Sequence, residues 1–177
     1  GYRAMYGATD QSYVTKRQFS TYEPSAVYSV KINLKYVFGQ WWRIMVYDGS
    51  LNQARAWVDL QNGVLGQTST GGTASFVVSP QLVSVGDGWY QLSMSAKVNS
   101  SLATNYFQIG YQSADGSTSY VGAATKGIDI RYPHWEDVSG MSDKSILEPI
   151  SYGKSPINSL VYSDDASQSS WTKTNVT

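Results

Sequence analysis

Along most of this chain the apolar residues fall at every second position, and a period of two fits strands and not helices. In Ala26–Tyr36, the residues Tyr28, Val30, Ile32, Leu34 and Tyr36 alternate with Ser29, Lys31, Asn33 and Lys35. Trp41–Tyr47 separates Trp42, Ile44 and Val46 from Trp41, Arg43, Met45 and Tyr47. Ala54–Leu60 sets Ala54, Ala56, Val58 and Leu60 against Arg55, Trp57 and Asp59. Trp89–Val98 carries Tyr90, Leu92, Met94, Ala96 and Val98 on one side; Asn105–Gln112 and Ile128–Trp135 complete the long strands. Short strands are expected over Ala74–Val78 and Gln81–Val85, divided by Pro80, whereas the Gly/Ser/Thr-rich stretch Gly66–Thr73 reads as loop. Gln61-Asn62-Gly63, Gly86-Asp87-Gly88 and Asp115-Gly116-Ser117 supply turn chemistry between the strands.

Strands with one apolar and one polar face belong in antiparallel sheets. Many of them at short spacing predict an all-β, two-sheet antiparallel sandwich of jelly-roll-like form, with an up-and-down barrel as the alternative. A chain of 177 residues buries a core without help from disulfides, and it has no cysteine. Lys plus Arg and Asp plus Glu both number 13, so no basic surplus points to nucleic acid. No run of residues has the apolar length for membrane insertion. The excess of tyrosine (14) over phenylalanine (4) suits half-wet binding faces, because tyrosine joins an apolar ring to a polar tip. Val138–Asn158 loses the alternation and gains Gly140, Pro149, Gly153 and Pro156, so it reads as a linker that wraps the sandwich or leaves it.

Two stretches carry a resemblance. Ala54-Arg55-Ala56-Trp57-Val58-Asp59-Leu60-Gln61-Asn62-Gly63 is similar to a strand of the pattern A-x-F-D-L-x-x-G, and Val85-Gly86-Asp87-Gly88-Trp89-Tyr90-Gln91-Leu92 to a hairpin of the pattern V-G-x-G-W-Y-R. Together they resemble the sandwich domains of bacteriophage head-spike and tail-fibre proteins, which are themselves like carbohydrate-binding modules. The likeness covers roughly Ala26 to Asp137. Gln91 stands where the family has Arg, and Asp129–Glu136 lacks the family's small residues before the acidic pair. Ser159–Asp165 with Trp171-Thr172-Lys173 looks like the opening of a further unit of the same kind. The resemblance thus implies a sandwich unit over 1–137 that lacks its own opening, a linker over 138–158 and the start of a second unit over 159–177. It implies a non-catalytic virion protein displayed outside cells, with a polysaccharide or cell-surface glycan and other copies of the same fibre chain as partners.

A sugar ring stacks its C–H face on an aromatic ring and offers hydroxyls to Arg, Asp and amides. On that chemistry the candidate carbohydrate-binding residues are Trp41, Arg43, Tyr47, Arg55, Trp57, Tyr111 and Arg131. Trp41, Arg43 and Tyr47 share one strand face, and Arg55 and Trp57 give the same signature on the next strand; for Trp57 a packing role is the weightier reading. Tyr111 enters as the outer end of the Phe107/Ile109 side. His134 is the only histidine, so a histidine-rich zinc site has no partners. Alternation puts Glu136 on its face and Asp137 opposite. No cofactor is expected beyond a structural calcium of the kind sandwich modules hold with scattered carboxylates. The remaining alternatives are a fibre spacer or oligomerisation domain, and a polysaccharide-degrading jelly roll. The second would draw a carboxylate pair from Asp48, Asp59, Asp129, Glu136 and Asp137.

Overall fold

The computed structural model describes residues 2–5, 15–19, 26–48, 51–98, 105–118 and 127–145. Within them the backbone forms strands β1 (Tyr2–Met5), β2 (Thr15–Phe19), β3 (Val27–Phe38), β4 (Trp41–Tyr47), β5 (Gln53–Asp59), β6 (Val64–Gly71), β7 (Ser75–Ser84), β8 (Trp89–Lys97), β9 (Asn105–Gln112) and β10 (Gly127–Asp137), and no helix. They pair as two five-stranded sheets, β1-β10-β3-β8-β7 and β2-β9-β4-β5-β6. Every pairing is antiparallel. Without β6 and β7, the orders 1-10-3-8 and 2-9-4-5 are those of a jelly roll, whose successive strand pairs nest inside one another. β6 and β7 lie against each other and widen both sheets on one side.

The alternation assigns the faces. Tyr28, Val30, Ile32 and Leu34 of β3, Trp42, Ile44 and Val46 of β4, and Ala56 and Val58 of β5 point between the sheets and are buried. Leu92 and Met94 of β8, Phe107 and Ile109 of β9, and Ile128 and Ile130 of β10 close the same core. Burying side chains of this size contributes about 1.5–3 kcal/mol each relative to exposure, so the inner faces fix the register. The register in turn fixes which side chains face outward, because a one-residue slip would exchange the two sets.

The structure departs from the sequence expectation in two places. Gly66–Thr73, expected as loop, falls mostly in β6, which pairs with β5 by its backbone and needs no apolar face at the sheet edge. The two short strands expected around Pro80 are one strand, β7. Pro80 sits in the shift of register between Val78 and Gln81, where an edge strand tolerates the missing N–H. β6 also has a register shift opposite Ala56/Val58, so both edge strands on this side have interrupted ladders.

The turns follow the residues that form them. Asp59 ends β5 and accepts hydrogen bonds from Asn62 N (3.0 Å), Asn62 Nδ2 (2.8 Å) and Gln40 Nε2 (2.6 Å). Gly63 completes that turn at φ +68, and a Cβ there would lie 2.4 Å from Tyr90 Oη. The β7–β8 hairpin is closed by Val85 N to Trp89 O and Trp89 N to Gly86 O, both 2.9 Å, with Asp87 at φ 54.

Beyond β10 the chain crosses the outer face of the first sheet. Val138 N donates to Val27 O (2.8 Å), and Lys144 O accepts from Ser29 Oγ (2.9 Å) and Ser95 Oγ (2.6 Å). The first part of the expected linker therefore wraps the sandwich. The rest of that linker and the expected second opening at 159–177 lie outside the described residues.

Candidate functional site

The outer face of the β2-β9-β4-β5-β6 sheet gathers five of the seven candidate residues. β4 pairs with β5 so that Trp41 faces Asp59, Arg43 faces Trp57, Met45 faces Arg55 and Tyr47 faces Gln53. On its other side β4 pairs with β9, setting Trp41 beside Gln112, Arg43 beside Gly110, Met45 beside Gln108 and Tyr47 beside Tyr106. Trp41, Arg43, Tyr47, Arg55 and Trp57 thus share one surface.

One end of that surface is roofed by the loop that follows β9. Trp57 is 2% exposed, and its indole Nε1–H donates to Ser117 O at 2.8 Å. Asp115 Oδ1 accepts from Gln67 N of β6 at 2.8 Å, which pins the loop to the sheet edge. Gly66 permits the close approach: a Cβ there would meet Asp115 Oδ1 at 2.3 Å and Trp41 Cζ3 at 2.5 Å. Trp57 is therefore a packing residue, and the part of Trp41 against Gly66 is occupied by the same loop.

The other end carries a pair of tyrosines. Tyr47 and Tyr106 are half-buried, with ring centroids 5.1 Å apart and planes tilted by 30°. Gln53 lies across from Tyr47, and Arg55 and Gln108 flank Met45 in the next row. Arg55 Nε is buried with no hydrogen-bond partner, and burial lowers the guanidinium pKa below its ordinary value. Arginine stays charged through such a shift. Gln112, 1% exposed on the same face, has neither amide atom paired. Buried polar groups without partners are rare enough to call for an explanation such as a bound molecule or water.

Two candidates stand apart. Tyr111 is in register with Trp42, packs edge-on to it at 5.7 Å and belongs to the inner face. The apolar run Phe107, Ile109, Tyr111 points to the core throughout, so the outward tyrosine of β9 is Tyr106. The signal for it lay in the opposite phase, where Tyr106, Gln108 and Gln112 alternate with that run. Arg131 lies on the other sheet, in register with Asn33, with its guanidinium 4.1 Å over the Trp89 ring. That cation–π contact assigns it to framework.

The carboxylates are dispersed: Asp129 and Glu136 lie within β10, and Asp48, Asp59 and Asp137 stand at strand ends. Asp48 accepts from Asn52 Nδ2 (2.7 Å) and Asn52 N (3.2 Å), and Asp137 accepts from Ser139 N (2.8 Å). Burial raises the Asp59 pKa, and hydrogen bonds from Asn62, Gln40 and Gln61 outweigh it and hold the carboxyl below its ordinary value. His134 and Glu136 share a face as alternation requires, with Nε2 3.7 Å from Oε1. Among the described residues no three His, Asp or Glu side chains are placed to hold a metal.

No family model matches this chain. No curated protein matches it either. The two stretches that carry the phage-domain resemblance form β5 with its turn and the β7–β8 hairpin. They are framework pieces, so the resemblance describes the scaffold more than a ligand.

Proposed function

We propose that the chain is a non-catalytic glycan-binding module, carried on the surface of a phage head or tail fibre, that takes a sugar at the Tyr47–Tyr106 end of the β9-β4-β5 face. The observation that carries this reading is the tilted Tyr47–Tyr106 pair beside Arg55, whose Nε is buried and unpaired. Two tyrosine rings offer a stacking surface, Arg55 offers donors, and Gln53 offers both donor and acceptor. A single module binds weakly, and repetition along a fibre supplies avidity. The phage setting rests on the sequence resemblance alone.

Electrophoresis through gels containing bacterial and plant polysaccharides tests the reading. The intact chain is expected to be retarded by at least one polysaccharide, and a Tyr47→Ala/Tyr106→Ala double variant with unchanged circular dichroism is expected to run freely. Absence of retardation across a broad panel would overturn it.

A second reading, a fibre spacer with no glycan ligand, has one observation in its favour. Tyr36 and Phe38 continue the inner phase of β3 past the core and are 37% and 56% exposed. Sedimentation that shows a stable oligomer, dissociated by Phe38→Ser, would favour that role.

A further inference from the structure

Arg55 stands half-buried on the β4-β5-β6 face, in register between Met45 of β4 and Ser69 of β6. Its side chain leans from that row towards the tyrosine end. A Cβ built on Gly71 would lie 3.2 Å from Arg55 Nη2 and 3.1 Å from Gln53 Cγ, and Gln53 is the residue that faces Tyr47. The guanidinium therefore reaches the row of the tyrosine pair, and the missing side chain of Gly71 gives it room. The backbone at Gly71 is not in the left-handed region. A larger residue there would thus disturb these two side chains and not the strand.

Among the described residues no carboxylate pairs with Arg55. Burial alone lowers its pKa, with no acidic group to offset the charge. The acids at the two ends of β4 and β5 are engaged in turns: Asp48 accepts from Asn52 N and Nδ2, and Asp59 from Asn62 and Gln40. Taking a cation partly out of water without a counter-charge costs folding free energy. Beside a stacking surface, such a cation points to a negative charge supplied by the ligand. A planar guanidinium matches the two oxygens of a carboxylate better than any neutral hydroxyl pair. A uronic acid joins both requirements in one ring, a C–H face for the tyrosines and a carboxylate at the edge.

We propose that the sugar taken at this face is a uronic acid residue of an acidic polysaccharide. Its ring lies on Tyr47 and Tyr106, its carboxylate pairs with the terminal nitrogens of Arg55, and Gln53 holds a neighbouring hydroxyl. The assignment rests on the glycan-binding reading of this face and narrows it to one class of ligand.

The test is equilibrium binding of the intact chain to beads carrying polygalacturonate, alginate or hyaluronate, each beside its carboxyl-reduced form. Salt of about 0.15 M screens charges more than about 8 Å apart. At least one polyuronate is expected to bind saturably, and its reduced form about tenfold more weakly or worse, because hydrogen bonds to charged groups are the stronger kind. Arg55→Met should bring the polyuronate down to the level of the reduced form, and Arg55→Lys should keep part of the preference. Gly71→Ser leaves the charge in place and crowds Nη2; it should weaken the polyuronate severalfold, and it decides the matter if the Arg55 variants do not fold. Arg55→Met keeps most of the apolar stem and should leave the urea midpoint unchanged or raised, since no native partner is lost. A clear fall in that midpoint would reveal a structural counter-charge and overturn the proposal. Dextran sulfate bound as tightly as the polyuronate would make this a general anion site and overturn the carboxylate assignment. Beads carrying dextran or galactomannan separate this inference from the reading beneath it. Binding to either that Tyr47→Ala/Tyr106→Ala abolishes, with no preference for polyuronates, would keep the glycan site and overturn its acidic ligand. Absence of binding to every polymer would overturn both.

Discussion

Trp57 separates a side chain that binds from a side chain that holds the scaffold. It is 2% exposed and donates its indole N–H to Ser117 O at 2.8 Å. Trp57→Ala removes a fully buried ring, a change that costs about 3–5 kcal/mol where the surroundings collapse only partly. Trp57→Phe keeps much of the ring and removes the donor, so its cost is near that of one hydrogen bond, about 1 kcal/mol. With a urea dependence of about 2 kcal/mol per molar, within the usual range, the unfolding midpoint should fall by roughly 2 M for the alanine variant and roughly 0.5 M for phenylalanine. Urea titrations followed by circular dichroism measure both. The order of the two variants matters more than either value. If Trp57→Ala unfolds within about 0.5 M of the parent and loses glycan retardation, the indole is a ligand contact and the assignment to packing is wrong.

Gly63→Ala should cost more than Gly86→Ala in the same titration. Both sit at positive φ, which costs an L-residue about 1–2 kcal/mol, but a Cβ at Gly63 also runs into Tyr90 whereas one at Gly86 meets nothing within 4 Å. Acid should loosen the turn after β5. The Asp59 carboxyl is held below its ordinary value, so its contribution is complete above its unfolded pKa of about 3.9 and disappears as pH falls through the lower folded value. Asp59→Asn should flatten the corresponding part of a stability–pH curve, and an unchanged curve would contradict the hydrogen bonding at Asp59. Arg131→Ala should lower stability by about 0.5–2 kcal/mol through loss of the Trp89 contact while leaving polysaccharide retardation unchanged; lost retardation would return Arg131 to the binding face.

The sheet faces were legible in the sequence because period two reports burial directly. Trp42, Ile44 and Val46 against Trp41, Arg43, Met45 and Tyr47 is the division found in β4. What alternation cannot convey is what lies on top of an outward face. Trp57 is outward in phase and buried in fact, because a loop from beyond β9 is tied over it through Ser117 and Asp115. Ser29, Lys31 and Asn33 are likewise outward and buried, on the sheet face that residues 138–145 cross. Lys31, 6% exposed, carries no local mark of this, since the covering chain comes from more than a hundred residues away. Tyr106 was missed for a different reason: tyrosine suits both faces, and only its polar phase-mates identify the outward one.

The interrupted ladders of β6 and β7 have a consequence at the scale of an assembly. A regular edge strand is a template on which a second copy can zip, and crowding many copies on one particle would make that association hard to avoid. Here the chain leaves that side of the sandwich with shifted registers, and with Pro80 in place of one N–H. An approaching strand would find donors and acceptors out of step beyond the four-residue runs Thr68–Gly71 and Gln81–Ser84. On this side such an edge works against strand-to-strand pairing between neighbouring copies.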